Sequence, residues 1–264
     1  TRERRGLWLV DAVTMTRDSL RSSSNTLGLL ADFNIEDMLF RYGVRINPEV
    51  IEDIQAGMIP INVSKPGEGS KFVPMPWLFS PLLSTNPEHP VSRHVNVVKG
   101  DFTSYIDTVG ENLSISRTVL LRSSRFTKVN QTPVFATLAN IHQQPDRELF
   151  NRSFLPVAIL QEGVFESVFV HRSVPQGVVH NQNIKTSSEP TRMIVVADGD
   201  VIRNDVRFRN TTNPKIIPLG FDEVTNQTFG NKQFVINAVQ YLTDDQGWMS
   251  LRNRCFALRV LDKE

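Results

Sequence analysis

The strongest hydrophobic pattern lies in the last third of the chain. Residues 192–197 are almost continuously apolar, as in a strand buried on both faces, and this run ends in an Asp-Gly-Asp turn at 198–200. Residues 231–242 repeat apolar side chains at helical spacing, and residues 255–261 follow the inward–outward alternation of a strand. We therefore predict a C-terminal strand-helix-strand unit over residues 190–264.

The first third of the chain alternates short strands with short helices. An apolar run near the start is typical of a buried strand, and Asn34 and Gly43 can begin and end a helix after it. Proline is common in the first turn of a helix, so Pro48 favours a second helix. The predicted elements in order are strand 7–10, helix 35–42, strand 44–46 and helix 48–54.

A proline-rich segment follows. Seven prolines between residues 59 and 90 exclude a long helix, and we predict an irregular excursion of loops and edge strands over 59–115. The aromatic residues Phe72, Trp77 and Phe79 are predicted to attach this excursion to the core. The alternative is that they line a ligand pocket.

The middle of the chain is strand-like. Strands are predicted over 118–121, 134–138, 156–163 and 166–170, the last two pairing as a hairpin, and a polar loop over 180–189. Because strands alternate with helices along the chain, we predict an α/β fold for residues 1–264 as a single domain.

Composition limits the classes of function. Hydrophobic residues make up 40% and charged residues 22%, which excludes a disordered polar chain. The 29 basic and 28 acidic side chains nearly cancel, so no basic excess indicates a nucleic-acid partner. The sequence has no run of the roughly 18 apolar residues that span a membrane, and it starts at Thr1 just before a predicted strand. We expect a piece of a longer protein whose anchors lie outside it.

The sequence offers no catalytic motif. It has no Gly-x-Ser-x-Gly elbow, no phosphate-binding loop and no Gly-x-Gly-x-x-Gly turn. The single cysteine, Cys255, falls in a predicted strand and is expected to pack there, and one cysteine excludes an internal disulfide. The five histidines are scattered and match no zinc spacing. We predict a protein that is not an enzyme and has no metal or cofactor.

Acidic residues at strand ends are the remaining candidates for a site. Asp198, Asp200 and Asp205 form the densest group, and Asp11 ends the first predicted strand. Open α/β sheets bind ligands at such strand ends, which makes Asp11, Asp198 and Asp200 candidate ligand-binding residues. The structural interpretation, which we favour, is that Asp198 and Asp200 bind backbone amides of a tight turn around Gly199.

Six short segments share their order and spacing with one known family. They are residues 7–11 (LWLVD), 37–47 (DMLFRYGVRIN), 195–204 (VVADGDVIRN), 218–222 (PLGFD), 229–245 and 251–254 (LRNR). On these segments the chain resembles the gliding-associated ABC-transporter accessory proteins of the GldG family of Bacteroidetes. The resemblance spans nearly the whole chain.

This resemblance implies a periplasmic region, anchored to the inner membrane by helices outside the sequence, that works beside an ABC ATPase and a permease. The implied fold is the three-layer, mostly parallel sheet of class I glutamine amidotransferase-like and flavodoxin-like proteins, here with added β-strands. Amidotransferases of that class need an elbow cysteine and a downstream histidine. Because Cys255 lies in the predicted last strand, their catalysis is not expected here.

Three hypotheses for the function follow. The first is a non-catalytic accessory or interaction module of an ABC transporter linked to gliding or export. The second is a periplasmic domain that binds a solute or glycan, and the third is a hydrolase on an amidotransferase-like fold.

Overall fold

The computed structural model describes residues 5–65, 67, 69–110, 114–170, 185–207 and 213–249. The helices in this part of the chain are α1 (Asp18–Ser23), α2 (Glu36–Arg41) and α3 (Asn231–Thr243), with 3-10 turns at Arg147–Leu149 and Gly199–Ile202. The first strands are β1 (Gly6–Leu9), β2 (Val13–Thr14), β3 (Asn25–Leu30), β4 (Val44–Ile46), β5 (Glu49–Asp53), β6 (Ala56–Asn62), β7 (Phe72–Thr85), β8 (Val98–Lys99) and β9 (Ile106–Thr108). The later strands are β10 (Ile115–Arg122), β11 (Thr127–Gln131), β12 (Val134–Thr137), β13 (Pro156–Gly163), β14 (Thr191–Val196), β15 (Val206–Arg207), β16 (Lys215–Ile216), β17 (Phe221–Asp222) and β18 (Gln227–Thr228).

The main sheet has the strand order β1-β14-β13-β10-β7-β6, with β8 beside β7. Only β1 and β14 run parallel among its described pairs, with Trp8 opposite Val195. These directions differ from the mostly parallel sheet expected from the sequence. Parallel neighbours need a crossover, usually a helix, whereas β6 and β7 are successive antiparallel strands and no α-helix lies between β10 and β13. The amidotransferase-like fold stays a prediction.

Helices cover both faces of the main sheet near β14. Ile194 and Val196 point to one face and belong to the same buried cluster as Phe234 of α3. Val195 points to the other face and shares a cluster with Leu39 of α2. The alternation explains why the sequence of β14 is apolar at nearly every position. The predictions of a buried strand at 192–197 and a helix at 231–242 are confirmed.

A long hairpin of β6 and β7 occupies part of the segment predicted to be irregular. Pro60 lies opposite Pro74, and Met58 lies opposite Pro76. Two facing prolines have no N–H groups to exchange, so at these positions the backbone polar groups point away from the partner strand. The prediction of loops and edge strands over 59–115 therefore fits β6, which is an edge strand, and is wrong for the 14-residue β7 inside the sheet. Prolines fit in these strands where no ladder hydrogen bond is needed.

The aromatic residues of β7 differ in burial. Trp77 and Phe79 are 3% and 8% exposed and pack with Phe102 in a second core, whereas Phe72 is 60% exposed. The predicted packing role is confirmed for Trp77 and Phe79 and is wrong for Phe72. Neither residue lines the polar cavity described below.

Two further predictions are wrong. Residues 48–54 contain β5 instead of a helix, because β-branched Val50 and Ile51 are both buried and pair with β11. Residues 166–170 form an isolated bridge at Glu166 and then a turn. The predicted hairpin of 156–163 with 166–170 is absent, because β13 pairs with β10 and β14.

The strand predicted at 255–261, Cys255 and residues 180–184 of the predicted loop lie outside the described residues. In the described part of the chain, no helix is long and apolar enough to span a membrane.

Candidate functional site

The turn after β14 is organised by one buried carboxylate. Asp198 is fully buried, and its Oδ1 accepts a hydrogen bond from the backbone N–H of Asp200 at 2.8 Å. Its Oδ2 accepts from the backbone N–H of Asp101 at 3.0 Å and from the hydroxyl of Thr103 at 2.5 Å. Asp198 therefore stabilises its own turn, as predicted, and also joins β14 to a loop distant in sequence.

Asp11 closes the same turn from the end of β1. Its Oδ1 accepts a hydrogen bond from the backbone N–H of Gly199 at 2.6 Å. A Cβ at residue 199 would lie 2.6 Å from Asp11 Oδ2, so a larger residue there would push the Asp11 carboxylate aside. The structure thus brings Asp11, Asp198 and Asp200 together. Their role as ligand-binding residues stays a prediction.

A network of ion pairs extends from this turn. The Oδ2 of Asp101, whose side chain is 5% exposed, receives the Nε of Arg17 and the Nη2 of Arg203, the latter at 3.2 Å. Arg203 also binds Asp200 through Nη1 at 2.6 Å, and Arg17 approaches Asp205 at 3.6 Å. Each of these guanidinium groups is therefore shared between two carboxylates.

The surroundings shift the acid–base behaviour of these groups. Burial raises the pKa of Asp200 to about 7, and the carboxylates of Asp101 and Asp11 add to the rise while Arg203 opposes it. Burial also raises the pKa of Asp198 well above its usual range. The pKa of Asp101 is raised by burial despite the opposing charges of Arg17 and Arg203. The network consequently changes its proton content near neutral pH.

A small cavity lies against the network. It holds about 50 Å³ and is lined by polar side chains that include Arg17, Lys99, Asp101, Arg203 and Asn231. Such a volume admits a few water molecules, whereas ligand pockets usually measure roughly 300–1,000 Å³. The cavity can therefore accept a small polar group but does not enclose a sugar ring.

Metal binding and histidine catalysis are the remaining possibilities for the described residues. Within residues 5–249, the described parts hold no group of three or more His, Cys, Asp or Glu side chains placed to bind a metal ion. His89 packs edge-on against Tyr241 with ring centroids 5.0 Å apart. His171 and His180 lie outside the described residues.

Sequence reasoning missed Arg17, Asp101, Thr103 and Arg203 as partners of the predicted aspartates. In the sequence, Arg17 belongs to a polar stretch that predicts a loop, and Asp101 belongs to the segment predicted to be irregular. No local periodicity connects such positions, because their contacts are made only when the chain folds. A signal was available only for Arg203, which follows the Asp-Gly-Asp turn directly.

The geometry describes a mixed α/β domain in which carboxylates at strand ends hold neighbouring loops together. The chain belongs to the family described as ABC-type uncharacterized transport system, whose model matches residues 1–238. It is therefore an accessory component of an ABC transport system, and the accessory-family part of the resemblance is confirmed. No curated protein and no solved structure matches the chain.

Proposed function

We propose that this chain is the periplasmic region of a GldG-like accessory protein that works without catalysis beside an ABC ATPase and permease in gliding or export. In the full-length protein, helices outside this sequence would anchor it to the inner membrane. Family membership supports the transporter role. The ordered segments that resemble GldG support the narrower assignment.

The observation that carries the non-catalytic role is the use of the strand-end carboxylates. Asp198 binds three donors of the protein itself, and Asp11 binds the backbone of Gly199. A general acid or base must instead reach a substrate proton within hydrogen-bond distance. Carboxylates that bind loops in this way support a structural role for the turn in an assembly domain.

Affinity purification of the full-length protein from membranes in mild detergent tests the partners. We expect the ATPase and permease to co-elute with it, and not with an unrelated membrane-anchored periplasmic protein carrying the same tag. Their consistent absence from the eluate would overturn the proposal.

A conservative variant tests the absence of catalysis. Asp200→Asn keeps the size of the side chain but removes its acid–base chemistry, so motility or export should remain at the wild-type level. Lys232→Gln, which removes an exposed charge outside the network, serves as the matched control. Loss of function in Asp200→Asn, with the protein still folded and bound to its partners, would favour the hydrolase hypothesis.

The cavity beside Asp101 favours a second candidate, a periplasmic domain that binds a small solute. Its polar lining supports a solute with hydrogen-bonding groups, and a glycan would contact it through a single hydroxyl because the volume is small. A thermal-shift screen of sugars, amino acids and short peptides tests this candidate, since a ligand of the native state raises its stability. A screen without any stabilising compound would reject it.

A further inference from the structure

Two turns that are distant in sequence form one surface beyond the end of β10. The backbone N–H of Phe154 donates to Ser124 O at 2.8 Å, and the Ser153 hydroxyl donates to Arg125 O at 2.7 Å. Thr127 and Arg152 form a bridge with two backbone hydrogen bonds of 2.9 Å. These contacts fix the side chains of residues 122–126 and 152–154 on one platform.

A buried carboxylate makes this platform rigid. Asp53 is fully buried and accepts hydrogen bonds from the backbone and hydroxyl of Ser124 and from the hydroxyl of Thr127. A fourth bond comes from the backbone N–H of Gln55 at 2.8 Å. Because Ser124 and Thr127 point inward to Asp53, Arg125 and Phe126, which lie between them in the sequence, are exposed to solvent.

The platform exposes arginine and phenylalanine side by side. Arg122 lies over the ring of Phe154 with 5.0 Å to its centroid, and Arg125 lies near the ring of Phe126 at 5.8 Å. Phe154 and Phe126 remain 49% and 42% exposed, and Arg152 is exposed beside them. We call these five residues the arginine–phenylalanine surface.

The three arginines of this surface are not held by direct ion pairs among the described residues. None of its guanidinium groups forms an ion pair with a carboxylate in the part of the chain that the structure describes. The carboxylate of Asp53 lies beneath the platform, where it accepts hydrogen bonds from Ser124, Thr127 and Gln55. The surface therefore attracts anions while its exposed rings favour an apolar environment.

We propose that the arginine–phenylalanine surface binds the anionic headgroups of a lipid bilayer, with Phe126 and Phe154 entering the headgroup region. Arginine suits the membrane interface because its apolar stem can lie against lipid while its guanidinium stays at the headgroups, and phenylalanine supplies apolar surface that enters the interface. A stable protein–protein interface uses roughly 20–30 residues a side. Five residues on two turns are too few for that, but each basic residue near an anionic bilayer adds to attachment.

Vesicle co-sedimentation of the 264-residue chain tests this proposal. We expect binding to phosphatidylcholine vesicles that contain phosphatidylglycerol and little binding to pure phosphatidylcholine, with a decrease at high salt. The Arg122→Gln, Arg125→Gln, Arg152→Gln triple variant should lose on the order of 100-fold in partition coefficient, since each basic residue contributes roughly fivefold. A failure of the wild-type chain to bind the anionic vesicles would overturn the proposal.

Matched controls separate this surface from net charge and from general hydrophobicity. Arg45→Gln, Lys215→Gln and Lys232→Gln together remove the same charge from exposed positions outside the surface and should retain binding. Phe126→Ser with Phe154→Ser should bind several-fold less tightly, whereas Phe33→Ser with Phe40→Ser should not.

Equal losses in the surface and control variants would contradict the proposal. So would binding of a soluble polyglutamate peptide through the same arginines when vesicles do not bind, because that result would identify an acidic protein partner. The detergent purification and the vesicle assay measure different partners, so either proposal can fail while the other stands.

Discussion

Two groups of arginines lie beyond the same end of the main sheet and use their charge in opposite ways. β10 and β14 both flank β13, and their last residues, Arg122 and Val196, pair near its start. After β14, Arg203 and its neighbour Arg17 turn inward to the carboxylate of Asp101. After β10, Arg122 and Arg125 remain at the surface over exposed rings.

The difference teaches that the donors available to a buried carboxylate decide what the nearby arginines do. A buried carboxylate needs compensation, and Asp101 obtains it from two guanidinium groups. Asp53 is equally buried but is satisfied by hydroxyl and amide donors, so the arginines around it stay available. The first group should therefore matter for folding and the second for association.

The largest effect is expected at Asp198. Asp198→Ala leaves the amides of Asp101 and Asp200 and the hydroxyl of Thr103 without their acceptor, and stability should fall by about 4 kcal/mol. Asp198→Asn retains one acceptor oxygen and should cost less than half as much. Urea unfolding of both variants measures the two values. Equal losses would contradict this expectation, because they would mean that the single acceptor oxygen retained by Asn contributes nothing.

Removing the shared carboxylate should have the next largest effect. Asp101→Ala leaves Arg17 and Arg203 facing each other without the anion between them, and we expect a loss of about 2 kcal/mol because both arginines keep partial access to water. The Asp101→Ala, Arg203→Ala double variant should recover part of this loss. A double-mutant cycle in urea tests the coupling, and strictly additive losses would contradict the network.

The pH dependence of stability separates the network from the surface arginines. The pKa of Asp200 is about 7 in the folded protein and near its usual value of 3.8 in the unfolded chain, so the folded state binds more protons between these pH values. The contribution of Asp200 to the free energy of unfolding is therefore fully present below about pH 4. It is lost as the pH rises through 7, with a slope of at most about 1.4 kcal/mol per pH unit. Asp200→Asn should flatten this slope in unfolding curves, whereas Arg125→Gln should leave it unchanged. A wild-type stability that rises between pH 4 and 7 would refute the assignment.

The smallest effect on folding is expected at the surface arginines. Arg122→Gln, Arg125→Gln and Arg152→Gln should each change the free energy of unfolding by less than about 0.5 kcal/mol, because none belongs to a buried ion pair. Thermal unfolding of these three variants and of Asp101→Ala under the same conditions gives the comparison. A loss above about 1 kcal/mol for Arg125→Gln would place that arginine with the structural group.

Local periodicity predicts β14 and α3 correctly because each carries its pattern within a few residues. The same reasoning fails at 48–54, where Pro48 resembles a helix start but Val50 and Ile51 pair with β11, a strand far along the chain. Strand direction also escapes it, since direction depends on which strands meet. The α/β pattern is visible in the sequence, and the antiparallel majority of the described sheet is not.

The candidate site likewise contains residues that the sequence predicts and residues that it does not. Asp11, Asp198 and Asp200 are predictable because they follow apolar strands, and the turn around Gly199 has a local signature. Arg17 and Asp101 meet only in the folded chain, so their partnership has no trace in spacing. The role of Asp53 is hidden for the same reason, because its donors come from residues 124 and 127.

The facing prolines of the β6–β7 hairpin also affect how the chain behaves at high concentration. Pro60 removes an outward donor from β6, which is one edge strand of the main sheet, and Pro74 and Pro76 remove outward donors from the far part of β7. A strand of another molecule would meet missing N–H donors where it needs a continuous ladder of hydrogen bonds, so edge-to-edge aggregation is disfavoured. The hairpin can thus extend from the domain without becoming a template for fibril growth.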